Sequence, residues 1–399
     1  MTDTESDRRR AKIESYEAEL TAIRRDIHKH PEMAYAENRT ADIVARNLES
    51  WGLEVNRGLG RTGVVGTLRR GDSNRAIGMR ADMDALYIQE KNTFEHRSVH
   101  DGQMHACGHD GHTAMLLGAA RYLAESDEIN GTLHFIFQPA EEGLAGAKAM
   151  IDDGLFEKFP CDAVYGLHNM PGIEKGHIGL RHGPTLAASD RWTATFRGTG
   201  GHGSMPHKGT DPTMPAAQFT MALQTIVSRN VDPLLTGVIS LGHIAAGDIG
   251  SLNIIPSEVF IGGTARSFVP QVRELLERRL AEMAAGIATA HGCTVESTYT
   301  RGYPATVNWD EQTDIAIAAA QEAIGAANVN PNLNPLPGGE DFAFMLEQVP
   351  GCYAFIGNGI TESDEFIHAP RYDFDDDIIA NGVSYWVALA RRELAKRDD

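Results

Sequence analysis

The chain has 399 residues, 42% hydrophobic and 23% charged, the balance of an ordinary globular protein rather than a disordered or fibrous one. That length exceeds the size at which a single hydrophobic core stops growing, so two domains are expected. A formal net charge of -19, without a cluster of Lys and Arg, argues against a nucleic-acid partner and requires that any anionic substrate be drawn in by local positive charge.

The first residues, MTDTESDRRRAKIESYEAEL, carry no apolar segment of the secretory kind, and no later run is apolar enough to span a bilayer. A cytoplasmic protein with no membrane partner is the expectation. Cys107, Cys161, Cys293 and Cys352 are scattered without a stapling pattern, which suits reduced thiols. Helical spacing from Ala11 to His30 (Ile13, Tyr16, Leu20, Ile23, Ile27) predicts a helix ended by Pro31. A second, with Asn38 or Thr40 as N-cap, closes at Gly52. The β-like runs TGVVGTL and RAIGMRADM follow, then a helix over 113–124, the strand TLHFIFQP, a helix over 145–151 and the strand AVYGLHN. Strands alternating with helices predict an α/β sandwich with a largely parallel sheet.

From about Ala187 the pattern changes to strand DRWTATFRG, helix PTMPAAQFTMALQTIVSRN, strands GVISLGHIAAG and EVFIGGTARSF, a helix ending in ATAHG, and strand CTVESTYTRG. That β-α-β-β-α-β order is a complete small α+β domain of the split βαβ kind. The expected organisation is a discontinuous first domain, 1–186 and 301–399, with 187–300 inserted into it.

Metal-ligand chemistry concentrates in HACGHDGH, which packs Cys107, His109, Asp110 and His112 between glycines ahead of a helix. Thiolate and imidazole suit a divalent transition metal, and ligands two residues apart on an extended segment point the same way. In FIFQPAEEG an apolar strand runs into Glu141 and Glu142, at the end of a strand where open α/β sheets place ligands. Adjacent acids can divide labour, one holding a metal and the other accepting a proton from water. A lone Glu-Glu pair is ordinarily a solvated loop; the strand before it and the glycine after it favour a site. His168 ends another apolar strand and His368 lies in an acidic loop. Each is a weak signal alone, and together they converge.

MRADMDAL, HACGHDGHTAMLLGAA, FIFQPAEEG, GLHN, GTGGHGSMPH, LNIIP and GGEDFAF occur here in the order of peptidase family M20, subfamily D. The chain resembles the N-acyl amino acid amidohydrolases of that group, which include hippurate hydrolases, aminoacylases and hydrolases of auxin–amino acid conjugates. The resemblance implies a metal-dependent exopeptidase-like catalytic domain with a mostly parallel sheet and an inserted lid and dimerisation domain. It implies two divalent ions per subunit (Zn, Mn, Co or Ni) on Cys107, His109, Glu142, His168 and His368, with Cys107 bridging and Glu141 as general base. It places His202 on a lid turn where it steadies the oxyanion, and Asn253 and Arg266 at the substrate carboxylate. Asp82 stands where related enzymes keep a histidine ligand, so Asp82 and Asp84 are expected to orient ligands rather than to be ligands. Tyr87 replaces a usual proline, which frees the loop after Asp84 and bears on substrate choice.

The expected substrate is therefore a small N-acyl amino acid, and the expected assembly a homodimer through the inserted domain. A dipeptidase or carboxypeptidase with the same catalytic residues is the nearest alternative. A metal-stabilised binding protein is the other, and the extra carboxylate Glu141 speaks against it.

Overall fold

The structure, a computed structural model, describes residues 5–360 and 365–395. The chain divides into two compact units: residues up to Gly183 with Val307–Asn334 and those from Asp341 onward, and Pro184–Thr306 with Pro335–Glu340. The stretch 335–340, assigned to the first unit on sequence pattern, clusters with the second.

The first unit is built on an eight-stranded sheet. Four adjacent strands, Gly131–Gln138, Ala76–Asp82, Ala163–Met170 and Gly351–Gly357, run parallel. Glu54–Leu59 and Gly63–Arg70 extend one side antiparallel, and the short Ile178–Gly179 and Val329–Asn330 extend the other. GTLHFIFQ is buried at every position, as a strand covered on both faces must be, which is why its sequence is a continuous apolar run rather than an alternation. The carboxyl ends of these strands deliver Asp82 and Asp84, then Glu141 and Glu142, then His168.

The helix expected over 113–124 starts at His109. Gly108, at φ 94°, turns the chain into it, and a Cβ there would lie 2.2 Å from Asn169 Nδ2 and 2.5 Å from the Tyr372 hydroxyl. Only glycine fits. Cys107 and His109 are therefore not alternate residues of one extended segment; Cys107 precedes the turn and His109 opens the helix. All residues from His109 to Ala120 are buried, and the helix packs against Glu17–Lys29 and Ile379–Glu393.

Three other expectations change. The first helix is two, Glu5–Glu14 and Glu17–Lys29, parted where the Ser15 hydroxyl donates to the Lys12 carbonyl. The helix Asn38–Ser50 takes its N-terminal cap from Glu32, whose carboxylate accepts the Arg39 and Thr40 N–H groups, and not from Asn38 or Thr40. The helix expected over 212–230 is Thr213–Ala222 and Gln224–Asn230, with the Thr225 hydroxyl donating to the Ala222 carbonyl at the break.

The second unit is a four-stranded antiparallel sheet in the order Gly237–Ala246, Glu258–Ser267, Ala188–Arg197, Thr294–Tyr303. Ala188–Arg197 buries alternate residues, and Trp192, Ala194 and Phe196 from it join Phe219, Ile226, Leu276 and Leu280 from the helices in a separate core. This is the inserted α+β arrangement.

Candidate active site

Past Gln138 the chain turns at Pro139 and at Ala140, which is left-handed at φ 55°, so that Glu141 is buried and Glu142 partly buried. The Cys107 thiol, the Glu142 carboxylate and the His368 ring offer ligand atoms within 4.8 Å of one another. His109 and His168 meet in a wholly buried group with Asp82 and His112. Cys107 Sγ lies 3.4 Å from His168 Nε2, so the thiol faces both groups. Glu141 gathers with His109 and Glu142.

The hydrogen bonds fix which ring nitrogen remains available. His109 Nδ1–H donates to Asp84 at 3.2 Å, and His168 Nδ1–H to the Asn169 carbonyl at 2.5 Å. Each ring thereby turns Nε2 toward the cluster. His112 differs: its Nδ1–H donates to Asp82 at 2.6 Å, and its Nε2 accepts the Asn169 N–H at 2.9 Å. Both of its nitrogens are spent, so His112, though part of the motif, orients Asp82. Asp82 in turn gives its other oxygen to Arg80 at 2.7 Å. Burial alone would raise the Asp82 carboxyl; Arg80, His109 and His112 outweigh it and hold the group well below the carboxylate range. Asp84 spends its second oxygen on the Glu142 N–H at 2.9 Å, tying one ligand's ring to another's backbone.

His109 Nε2 and Glu142 Oε1 are buried without a hydrogen bond among the described residues, although His368 Nε2 lies 3.2 Å from that oxygen. Lone pairs of imidazole and carboxylate left over beside a thiol are what a divalent transition metal takes up, so the residues fit the metal group. Burial and the Glu142 charge push the Cys107 thiol up, and the adjacent Cys107 and Glu142 side chains push His368 up to about 10. Cation binding has to displace those protons, which makes it pH-dependent.

In the second unit His202 and Asn253 are neighbours. Gly201–His202 pairs with Ile254–Ile255, the Gly203 N–H donates to the Asn253 carbonyl, and both side chains are exposed. The His202 ring meets the Ser204 hydroxyl at 3.0 Å. Arg266, on the strand Glu258–Ser267, is partly buried and donates to the Ala265 carbonyl at 3.0 Å, with no ion pair to a carboxylate among the described residues. Burial lowers its pKa. Tyr87 is exposed. Arg80 and Asn169 are the site residues that sequence reasoning passed over. Arg80 stood inside the MRADMDAL motif, on the same strand face as Asp82, and that spacing was the available signal.

Soft and hard donors gathered near the carboxyl ends of a parallel sheet, next to a second carboxylate, suit a metal-dependent hydrolase. Residues 78–392 match the model of Peptidase family M20/M25/M40, and the chain belongs to that family. It is similar to the hippurate hydrolase of Campylobacter jejuni (44% identical, over 95% of this chain and 97% of that one). It is also similar to the N-acetyl-L-cysteine deacetylase of Bacillus subtilis (38% identical, over 97% and 91%). Among solved structures, the Bacillus subtilis YXEP protein, a dinuclear metal binding peptidase from the M20 family, superposes with a TM-score of 0.83 at 32% identity over 96% of this chain and 99% of that one.

Proposed function

We propose that this chain hydrolyses the amide bond of N-acyl or N-aroyl amino acids, with hippurate as the type substrate, using two divalent ions of the Zn, Mn, Co or Ni kind per subunit. The position of Cys107 carries the reading: one thiol reaches His168 at 3.4 Å and shares a donor group with Glu142 and His368. Cys107, His109, Glu142, His168 and His368 would hold the ions, with Cys107 placed between the donors His109 and His168 on one side and Glu142 and His368 on the other. Such ions polarise a scissile carbonyl and lower the pKa of water. Glu141 takes the proton from the attacking water on its carboxylate and delivers it to the leaving nitrogen. Asp84 keeps His109 Nε2 toward the ions, and Asp82, held by Arg80 and His112, supplies negative charge behind them.

In the inserted unit, the Arg266 guanidinium pairs with the substrate carboxylate alongside Asn253, which an acidic protein needs for such a substrate, and His202 steadies the oxyanion. That unit acts as lid and homodimer contact. The four free cysteines favour a reducing cytoplasm. The hydrolase and deacetylase relatives support the substrate class.

The test is hydrolysis of hippurate, N-acetyl amino acids and free dipeptides by metal-stripped protein resupplied with each ion. Metal-restored cleavage of the N-acyl compounds is expected. Preference for dipeptides would replace the reading with a dipeptidase, and full metal binding without turnover would replace it with a binding protein.

A further inference from the structure

The turn that carries Glu141 and Glu142 has an improbable backbone. Ala140 and Ala145, neither of them glycine, are left-handed at φ 55° and 56°, with Gly143 at φ 81° between them. Gly146 closes the turn by donating its N–H to the Ala140 carbonyl, and a Cβ on it would lie 1.7 Å from the Pro139 oxygen. Side chains at positive φ persist only where the surroundings over-determine them.

One distant loop contributes to that determination. Buried Glu37 accepts the Ala140 N–H on Oε1 at 2.9 Å; the same oxygen takes the Tyr35 N–H at 3.0 Å, and the Thr62 hydroxyl donates to Oε2 at 2.5 Å. Tyr35, itself left-handed at φ 64°, donates its hydroxyl to the Leu144 carbonyl at 2.8 Å while the Arg61 guanidinium sits 4.5 Å over its ring. Residues 35–37 thus hold the turn at both its entry and its exit.

We propose that Glu37 and Tyr35 are positioning residues for the hydrolytic step, fixing the Ala140–Ala145 turn so that the Glu141 carboxylate stays beside His109 and Glu142. The proposal rests on Glu141 being the proton-transfer group. Asp84 and Asp341 also hold amides of this segment, those of Glu142 and Ala147, but they bind His109 and Arg80 as well, so replacing them disturbs the donors directly. The hydrogen bonds of Glu37 and Tyr35 reach the turn only through its backbone, which makes them the clean probes. Burial raises the Glu37 carboxyl to about 7, against the hydrogen bonds it accepts, and an uncharged amide oxygen can accept the same N–H groups.

The experiment measures kcat, KM and metal content for Glu37→Ala, Glu37→Gln, Tyr35→Phe and Glu141→Gln holoenzymes on the N-acyl amino acid cleaved fastest. Glu37→Ala is expected to lose kcat by on the order of ten- to a hundredfold, with KM and metal content unchanged, because misplacing a catalytic group by an ångström has that effect. Glu37→Gln is expected to recover most of the loss, and Tyr35→Phe to show a smaller loss of the same kind. Wild-type kcat in Glu37→Ala, or a Glu37→Gln as defective as the alanine variant, overturns the proposal. Should Glu37→Ala fail to fold, Tyr35→Phe decides by the same split of kcat from KM. Turnover in Glu141→Gln would refute the functional reading itself, whereas an inactive Glu141→Gln beside unaffected Glu37 and Tyr35 variants refutes the positioning role alone.

Discussion

The Cys107 thiol stands 3.4 Å from His168 Nε2 while sharing a donor group with Glu142 and His368, so one sulfur looks onto two ligand sets. On the proposed two-ion reading, its removal costs both ions. Cys107→Ala is expected to weaken metal binding by more than the roughly 10- to 100-fold typical of losing an outer orienting group. Cys107→Asp should keep binding but shift preference from thiophilic ions toward Mn. Elemental analysis after dialysis against each ion reads both effects, and full stoichiometry in Cys107→Ala would exclude bridging.

Arg80 is buried between two carboxylates, with Asp82 at 2.7 Å and Asp341 at 3.2 Å, and also donates to Gln138 at 2.7 Å. Arg80→Met takes the shared guanidinium away from two buried carboxylates, for which about 3–5 kcal/mol of destabilisation is the expectation. Urea unfolding measures it. A loss of about 1 kcal/mol or less, the range of an exposed ion pair, would mean that the network relaxes around the gap.

His28 is buried with Nδ1 2.9 Å from Asp110 and Nε2 3.3 Å from Glu90. Burial opposes its charge, but the two carboxylates prevail and raise its pKa from the ordinary 6.5 to about 9. A folded-state pKa above the unfolded one gives stability that is complete below 6.5 and lost as pH rises through about 9. The difference in unfolding free energy between the parent protein and His28→Gln should shrink across that window. A difference independent of pH would show that His28 folds uncharged.

Gly108→Ala combines a left-handed φ of 94° with a clash 2.2 Å from Asn169 Nδ2. It is expected to destabilise the fold and also to weaken metal binding, because Asn169 donates to both the Cys107 carbonyl and His112. A thermal melt paired with a metal titration separates the two effects; a variant as stable as the parent and with its metal affinity would contradict the packing.

The mostly parallel sheet and the α+β insert were legible because burial imposes its period directly on sequence: continuous in GTLHFIFQ, alternating in Ala188–Arg197. Cys107, Glu142 and His168 stood out as candidates for a different reason, the concentration of thiol, carboxylate and imidazole beside glycines and at the ends of apolar strands, and the structure brings their side chains near one another. The start of the helix at His109 was not, because Gly108 owes its conformation to Asn169 and Tyr372, which come from elsewhere in the chain. Arg80 was missed for the same reason: its partners Gln138 and Asp341 lie 58 and 261 positions away, and nothing local marks a strand arginine as buried. His112 carried a motif but no role until its two nitrogens were seen to be engaged by Asp82 and Asn169.

The most direct test of the account is the turnover of Glu141→Gln with its metal content determined on the same sample. Hydrolysis of an N-acyl amino acid should fall by roughly 100- to 10,000-fold, the contribution of a positioned general base, while the metal per subunit stays that of the parent. Parent-level turnover would contradict the role given to Glu141 and with it the mechanism.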